Sequence, residues 1–267
     1  MKRLLIVLAV LLIPAALVAH DTWLIPAAFT TTPGAPVRVK LATGEAFPAS
    51  ETAVAPERVA RFTLRTKSGV RPVEGFRVDG TFLVADVTPP EPGHAIVVAE
   101  TKARAFELEP KVFNEYLREE ELKTIMDARK AKGQWNAPGR ERYRKIAKTI
   151  LCVGETLDKG YEQPEGLWLE IVPAKSTCNL RWRDMLVVQV LFEGKPLPRV
   201  AVAAGYEGAT GHEYPFWTRT NANGLAKFQF NKTGTWFIRT LHMVPAKDDP
   251  EADWQSAFST LTLEVKP

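Results

Sequence analysis

Four histidines are the side chains of this sequence best suited to hold a metal ion, and His20 has a position of its own. A chain cut after Ala19 begins at His20, so the α-amine and the ring Nδ1 of that residue can chelate one ion together. The amine titrates at about pH 7.7–8.0, so binding would release protons and depend on pH. One further imidazole would complete a three-nitrogen set suited to copper, nickel or cobalt. His242 ends the apolar run 236–242, and a histidine there is ordinarily a structural residue. His94, after Pro92-Gly93, reads as an exposed turn residue, and His212, between Gly211 and Glu213, reads the same way. Of the seven tryptophans, most sit near apolar runs and read as core, while Trp217, after Pro215-Phe216, reads as a loop aromatic able to stack on a sugar face.

Enzyme signatures are missing. The sequence has no Gly-x-Ser-x-Gly elbow, no Walker loop, no His-Glu-x-x-His and no Cys-x-x-Cys. Glu119-Glu120-Glu121 is a charge run rather than an acid/base pair. The expectation is a protein without catalysis, with a copper oxygenase built on the terminal His20 as a minor alternative. Cys152 and Cys178 are the two cysteines, and an isolated pair in an oxidising compartment is expected to form one disulfide.

What must position these residues begins with export. Lys2 and Arg3 precede an apolar run over 4–18, which matches a cleavable secretory signal and is shorter than the ~20 residues of a membrane span. The best cut lies after Ala19, with Ala16 as the alternative. No stable membrane span is expected once the signal is removed, and the location is periplasmic or secreted. Thirty-five basic residues face 31 acidic ones, for a net charge of +4, which does not argue for a nucleic-acid partner.

Short apolar runs separated by turn residues follow at 37–41, 59–65, 81–87 and 95–100. This spacing points to a β-sandwich or barrel. Residues 111–132 lack Gly and Pro, are rich in Glu, Lys, Arg and Leu, and carry an imperfect helical stripe that Gly133 ends. The basic piece 140–148 is a second helical candidate, and the two together read as a solvated connector. Six further strands are expected at 167–172, 185–192, 200–204, 225–230, 235–244 and 259–265. The fold class is therefore mainly all-β: two β-sandwich-like modules, the second immunoglobulin- or transthyretin-like, joined by a short helical connector. The expected boundaries are 1–19 for the signal, 20–108 for the first β domain, 109–165 for the connector and 166–267 for the second β domain.

Several strings, in order along the chain, resemble the DUF4198 family of bacterial proteins. They are Ala19-His20-Asp21-Thr22-Trp23-Leu24-Ile25-Pro26, Gly44-Glu45-Ala46-Phe47-Pro48, Leu167-Trp168-Leu169-Glu170-Ile171-Val172-Pro173, Thr220-Asn221-Ala222-Asn223-Gly224 and Gly234-Thr235-Trp236-Phe237-Ile238-Arg239 with His242-Met243. The resemblance implies a β-rich fold and a link to periplasmic handling of nickel or cobalt beside transporters. It matches His20 and His242 to the family's histidines, and Glu45 stands where some members carry His. Asn221 replaces the more usual Asp of the turn. The expected function is thus a metal-binding or metal-delivery protein with His20, His242 and Glu45 as ligands of nickel, cobalt or copper, and an inner-membrane metal transporter as partner. A non-metal module for an envelope glycan or protein is the alternative.

Overall fold

The computed structural model describes residues 20–155, 158–208 and 214–267. The expected signal over 1–19 and His212 lie outside the described residues. The strands of the first half are β1 (Asp21–Pro26), β2 (Thr30–Thr31), β3 (Val37–Gly44), β4 (Val59–Thr66), β5 (Gly69–Pro72), β6 (Arg77–Asp79), β7 (Phe82–Val87), β8 (Gly93–Thr101) and β9 (Arg104–Leu108). Two helices follow, α1 (Pro110–Glu119) and α2 (Lys123–Ala131). The remaining strands are β10 (Gly139–Val153), β11 (Leu169–Pro173), β12 (Met185–Phe192), β13 (Lys195–Pro196), β14 (Ala201–Tyr206), β15 (Phe216–Arg219), β16 (Leu225–Gln229), β17 (Gly234–Pro245) and β18 (Trp254–Val265). The protein is mostly β with several sheets, as its period-two runs require.

Ten of these strands form one central sheet. Its path runs β15-β14-β17-β18-β10-β8-β4-β5, with β2 and β9 also paired to β10. Strand β10 is the seam, parallel to β18 over Glu141 to Thr149 and antiparallel to β9 and then β8. A sheet ordered β1-β3-β7-β6 lies on one face of the first half, and a sheet of β11, β12, β13 and β16 on the opposite face of the second half. The alternation within β8 shows the two faces. Ala95, Val97 and Ala99 join Leu24, Val39, Leu41 and Leu83 in one core, while Ile96 and Val98 join Leu169, Val188 and Trp236 in the other. Each fully buried Val, Leu or Ile side chain among them contributes about 1.5–3 kcal/mol. The helices cover the first face beyond β1, where Phe113, Leu117 and Ile125 meet Leu241, Trp254 and Phe258.

Residues 140–148 are strand, not helix, which corrects the expectation of a second helical piece. Their Arg, Lys and Ala residues are good helix formers, but propensity is a weak prior that tertiary pairing overrides. On one face Arg140 meets Asp253 at 2.7 Å, Arg142 meets Glu251 at 2.7 Å and Lys148 meets Glu170 at 2.8 Å. Glu141, Lys145, Ala147 and Leu151 take the other face. Arg140, Arg142 and Lys148 are thus paired with carboxylates from other parts of the chain rather than spread over a free helical face. Cys152 of β10 is bonded to Cys178. In the turn over 221–224, the Asn221 side chain accepts the Asn223 and Leu225 amides at 2.9 and 3.0 Å. Gly224 there has φ +71°, and a Cβ would stand 2.8 Å from the Val190 carbonyl.

Candidate functional site

Strand β1 is held along its length. It pairs with β3, placing Asp21 opposite Gly44 and Trp23 opposite Ala42. Thr22 bonds Thr43 at 3.1 Å, and the hydroxyl of Thr260 in β18 donates to the Thr22 carbonyl at 2.6 Å. Asp21 is buried and satisfied from both sides. Arg239 of β17 donates to its Oδ1 at 2.9 Å, and the Tyr214 hydroxyl donates to its Oδ2 at 2.6 Å. The two terminal nitrogens of Arg239 grip Glu120, just past α1, at 2.7 and 3.1 Å. Burial acts to lower the Arg239 pKa, but Asp21 and Glu120 outweigh it and hold the guanidinium charged. The break between the helices, where Glu121 adopts φ +58°, lies next to Glu120. The single helix expected over 111–132 is two for that reason.

Two more ionisable groups of β10 are buried beside this network. Lys145 donates its ammonium to the His20 carbonyl. Burial pushes its pKa down to about 8, with Asp21 acting to raise it. Glu141 accepts from Ser256 and from the Tyr116 hydroxyl at 3.2 Å. Burial pushes that carboxyl up to about 8, so it is protonated at neutral pH.

These contacts place His20, only 3% exposed, against the loop that follows β3. Its Nε2 lies 3.5 Å from a carboxylate oxygen of Glu45 and 3.5 Å from one of Glu51. The loop is fixed between those two residues. Phe47 is buried in an aromatic cluster with Trp23 and Phe237, at ring separations of 5.3 and 4.8 Å. Ser50 accepts the Thr43 amide at 2.9 Å and donates to the Thr81 carbonyl at 2.7 Å. Glu51 also accepts the Glu45 amide at 2.9 Å. Donors sharing one ion in tetrahedral array at about 2.1 Å each stand about 3.4 Å apart, so both contacts have the length of a ligand edge. Among the described residues, however, no group of three or more His, Cys, Asp or Glu side chains already stands as a metal site. The two carboxylates, 43% and 51% exposed, would have to turn inward.

The structure brings His20 and Glu45 together and leaves His242 out. Arg239 and His242 are three residues apart in one strand, so their side chains leave opposite faces. Arg239 turns to Asp21, whereas His242 lies edge-on to Phe192 of β12, with ring centroids 4.6 Å apart. Burial lowers the His242 pKa to about 4 and keeps the ring neutral. Glu51 is the residue that sequence reading missed, and only its place six residues after Glu45 hinted at it. His94 is not an exposed turn residue: it is 2% exposed in β8, with Nδ1 2.9 Å from Asp158 and Nε2 2.7 Å from the Ser176 hydroxyl. Trp217 lies in β15 rather than a loop, 39% exposed. It lines a groove of ≈ 500 Å³ with Phe216 and Trp182.

The sequence profile described as "Domain of unknown function (DUF4198)" matches residues 17–244. No curated protein matches the chain. Solved structures that overlap it include the D0-D1 domain of intimin, at 10% identity over 93% of this chain and 100% of that one, with a TM-score of 0.24. The Yersinia pseudotuberculosis adhesin InvE overlaps at 13% identity over 90% of this chain and 58% of that one, with a TM-score of 0.25. The Escherichia coli adhesin FdeC overlaps at 13% over 93% and 64%, again at 0.25. At scores this low, the fold rests on the chain's own strand order.

Proposed function

This chain belongs to the DUF4198 family, and we propose that it is an exported, non-catalytic protein that binds one divalent transition-metal ion at His20. The observation that carries the reading is the buried His20 ring, whose Nε2 stands 3.5 Å from the carboxylates of both Glu45 and Glu51. His242 is not among the ligands. The imidazole nitrogen with the two carboxylates gives a nitrogen and oxygen donor set that suits nickel, cobalt or copper. Delivery to an inner-membrane metal transporter is part of the same proposal. Two features support an exported protein: the disulfide between Cys152 and Cys178, which fits an oxidising compartment, and the apolar run before His20. No helix of the described residues is long and apolar enough to cross a membrane.

Calorimetric titration of the purified protein with nickel, cobalt and copper salts tests the reading. One ion per chain is expected. His20→Ala should weaken binding at least a hundredfold and Glu51→Gln about tenfold, while His242→Ala leaves it unchanged. Equal binding by His20→Ala and the wild type would remove the proposal.

A second reading rests on the groove of Trp182 and Trp217. Arg183 lies 4.0 Å over the Trp182 ring, and the Gln229 and Asn231 amides share the lining. Exposed rings beside amides suit a glycan face. Retention of the protein on an envelope polysaccharide, lost in Trp217→Ala, would favour this reading over the metal one.

A further inference from the structure

Beneath the other side of the 45–55 loop lies a cleft of ≈ 350 Å³ that the metal reading does not use. Its lining brings together three cations, Arg58, Arg104 and Lys145, and no acidic residue. Its apolar wall includes Val54, Phe106 and Tyr143. Arg58 and Arg104 both act on the Tyr143 hydroxyl, and Arg58 also acts on Lys145, so the three positive charges share one neighbourhood.

Lys145 makes the cleft more than a basic patch. It is 6% exposed, and a buried charge is ordinarily paired. Among the described residues its ammonium makes one hydrogen bond, to the neutral His20 carbonyl. Two aromatic rings, Tyr143 and Phe258, lie 5.9 and 5.7 Å from the nitrogen. An ammonium has three donors. Of the two buried carboxylates that act on it, Asp21 already accepts from Arg239 and Tyr214, and Glu120 accepts from both terminal nitrogens of Arg239. The other cations of β10 behave differently: Arg140, Arg142 and Lys148 each meet a carboxylate within 2.8 Å, and Arg144 meets Glu100 at 3.5 Å. Lys145 alone among these five is left facing a cleft with further positive charge.

We infer that this cleft binds an organic anion, a small molecule with a carboxylate or phosphate head and an apolar, ring-sized body. The head lies among Arg58, Arg104 and Lys145 and supplies the counter-charge that the fold withholds. Arginine forks suit both kinds of oxyanion. The body lies against Phe106, Tyr143 and Val54. The volume is at the small end of the ~300–1,000 Å³ typical of ligand sites, which sets the size at about one ring. The site is distinct from the proposed metal site, although both abut His20: the ring of His20 faces Glu45 and Glu51, and its carbonyl faces Lys145.

The test is calorimetric titration of the purified, metal-free protein with benzoate, phenyl phosphate, acetate and inorganic phosphate. Benzoate or phenyl phosphate should bind, and which binds tighter identifies the head. Acetate and inorganic phosphate should bind at least tenfold more weakly than their phenyl counterparts, because they leave the apolar wall empty. The double variant Arg58→Gln/Arg104→Gln should weaken the phenyl anion at least tenfold while keeping the circular dichroism of the wild type. Both arginines are partly exposed or exposed, so that variant is expected to fold. No binding of either phenyl anion would overturn the inference, as would equal affinity for inorganic phosphate or an affinity unchanged in the double variant. His20→Ala, which removes the metal, is expected to leave the anion bound, so the two readings fail separately.

Discussion

Arg239 and Lys145 are cations buried on the same face of the central sheet, and the fold treats them in opposite ways. Arg239 receives two carboxylates and spends all three nitrogens on them. Lys145 receives a backbone carbonyl and a cleft. The first arrangement ties together β1, the end of α1 and β17. Its charge is met by two buried carboxylates, so it is architecture. The second leaves a charge in need of an anion beside an open space, which is what a binding site requires. Burial alone therefore says little about purpose here; the state of the counter-charge says more.

The largest effect should come from the paired cation. Arg239→Met would take the guanidinium away from the buried carboxylates of Asp21 and Glu120, and breaking a buried pair in this way costs about 3–5 kcal/mol. At roughly 2–4 °C per kcal/mol for a chain of this size, thermal unfolding should shift down by about 10 °C. A shift of only a degree or two would show that the network is not holding β1 in place.

Lys145→Met should do far less at neutral pH, and its signature is a pH slope. The folded pKa, about 8, lies below the ordinary 10.5, so the unfolded chain holds more protons between those values. Stability from this group is therefore present above pH 10.5 and lost as pH falls through 8. The span is on the order of 3 kcal/mol, partly offset at neutral pH by the His20 carbonyl that the variant leaves unmet. Denaturant unfolding of wild type and variant at pH 7 and pH 10 should show the difference between them moving in the wild type's favour as pH rises. Parallel pH profiles would mean that Lys145 already has an anionic partner, and the contrast with Arg239 would disappear.

Much of this architecture is legible in the sequence wherever one face of a strand is apolar. The runs at 37–41, 59–65, 185–192 and 235–244 fall within β3, β4, β12 and β17. Strand β10 hid its period because it is covered on both faces and uses charged side chains for both. Arg140, Arg142 and Lys148 read as a solvated helix until their acids, more than twenty residues away, come into view. The candidate site was legible in part. His20 stands out by its place after Ala19, and Glu45 by the family resemblance. Glu51 carries no mark of its own, because the loop between it and Glu45 is shaped by Phe47 and Ser50, whose partners lie in other strands. The failure of His242 to join His20 follows from parity once Arg239 is seen to face Asp21. It is an odd number of residues from Arg239, whose charge needed the carboxylate of Asp21.

His242 offers the smallest effect and the finest distinction, since it is an ionisable group that the fold keeps uncharged. Its ring lies against Phe192, and burial lowers its pKa to about 4 from the ordinary 6.5. A depressed folded pKa means that the unfolded chain takes up the proton first. The stability it contributes is therefore present above pH 6.5 and lost as pH falls through about 4. The ring is partly exposed, so the span is discounted to on the order of 2 kcal/mol. His242→Phe keeps the aromatic contact and removes the proton site. At pH 7 the variant should unfold within about 1 kcal/mol of the wild type, and at pH 4 it should be the more stable of the two. If the wild type instead gains on the variant as the solution is acidified, the imidazole is held in its charged form. An acidic partner would then have to face it, and this group would belong with Arg239 rather than among the aromatic rings of the second sheet.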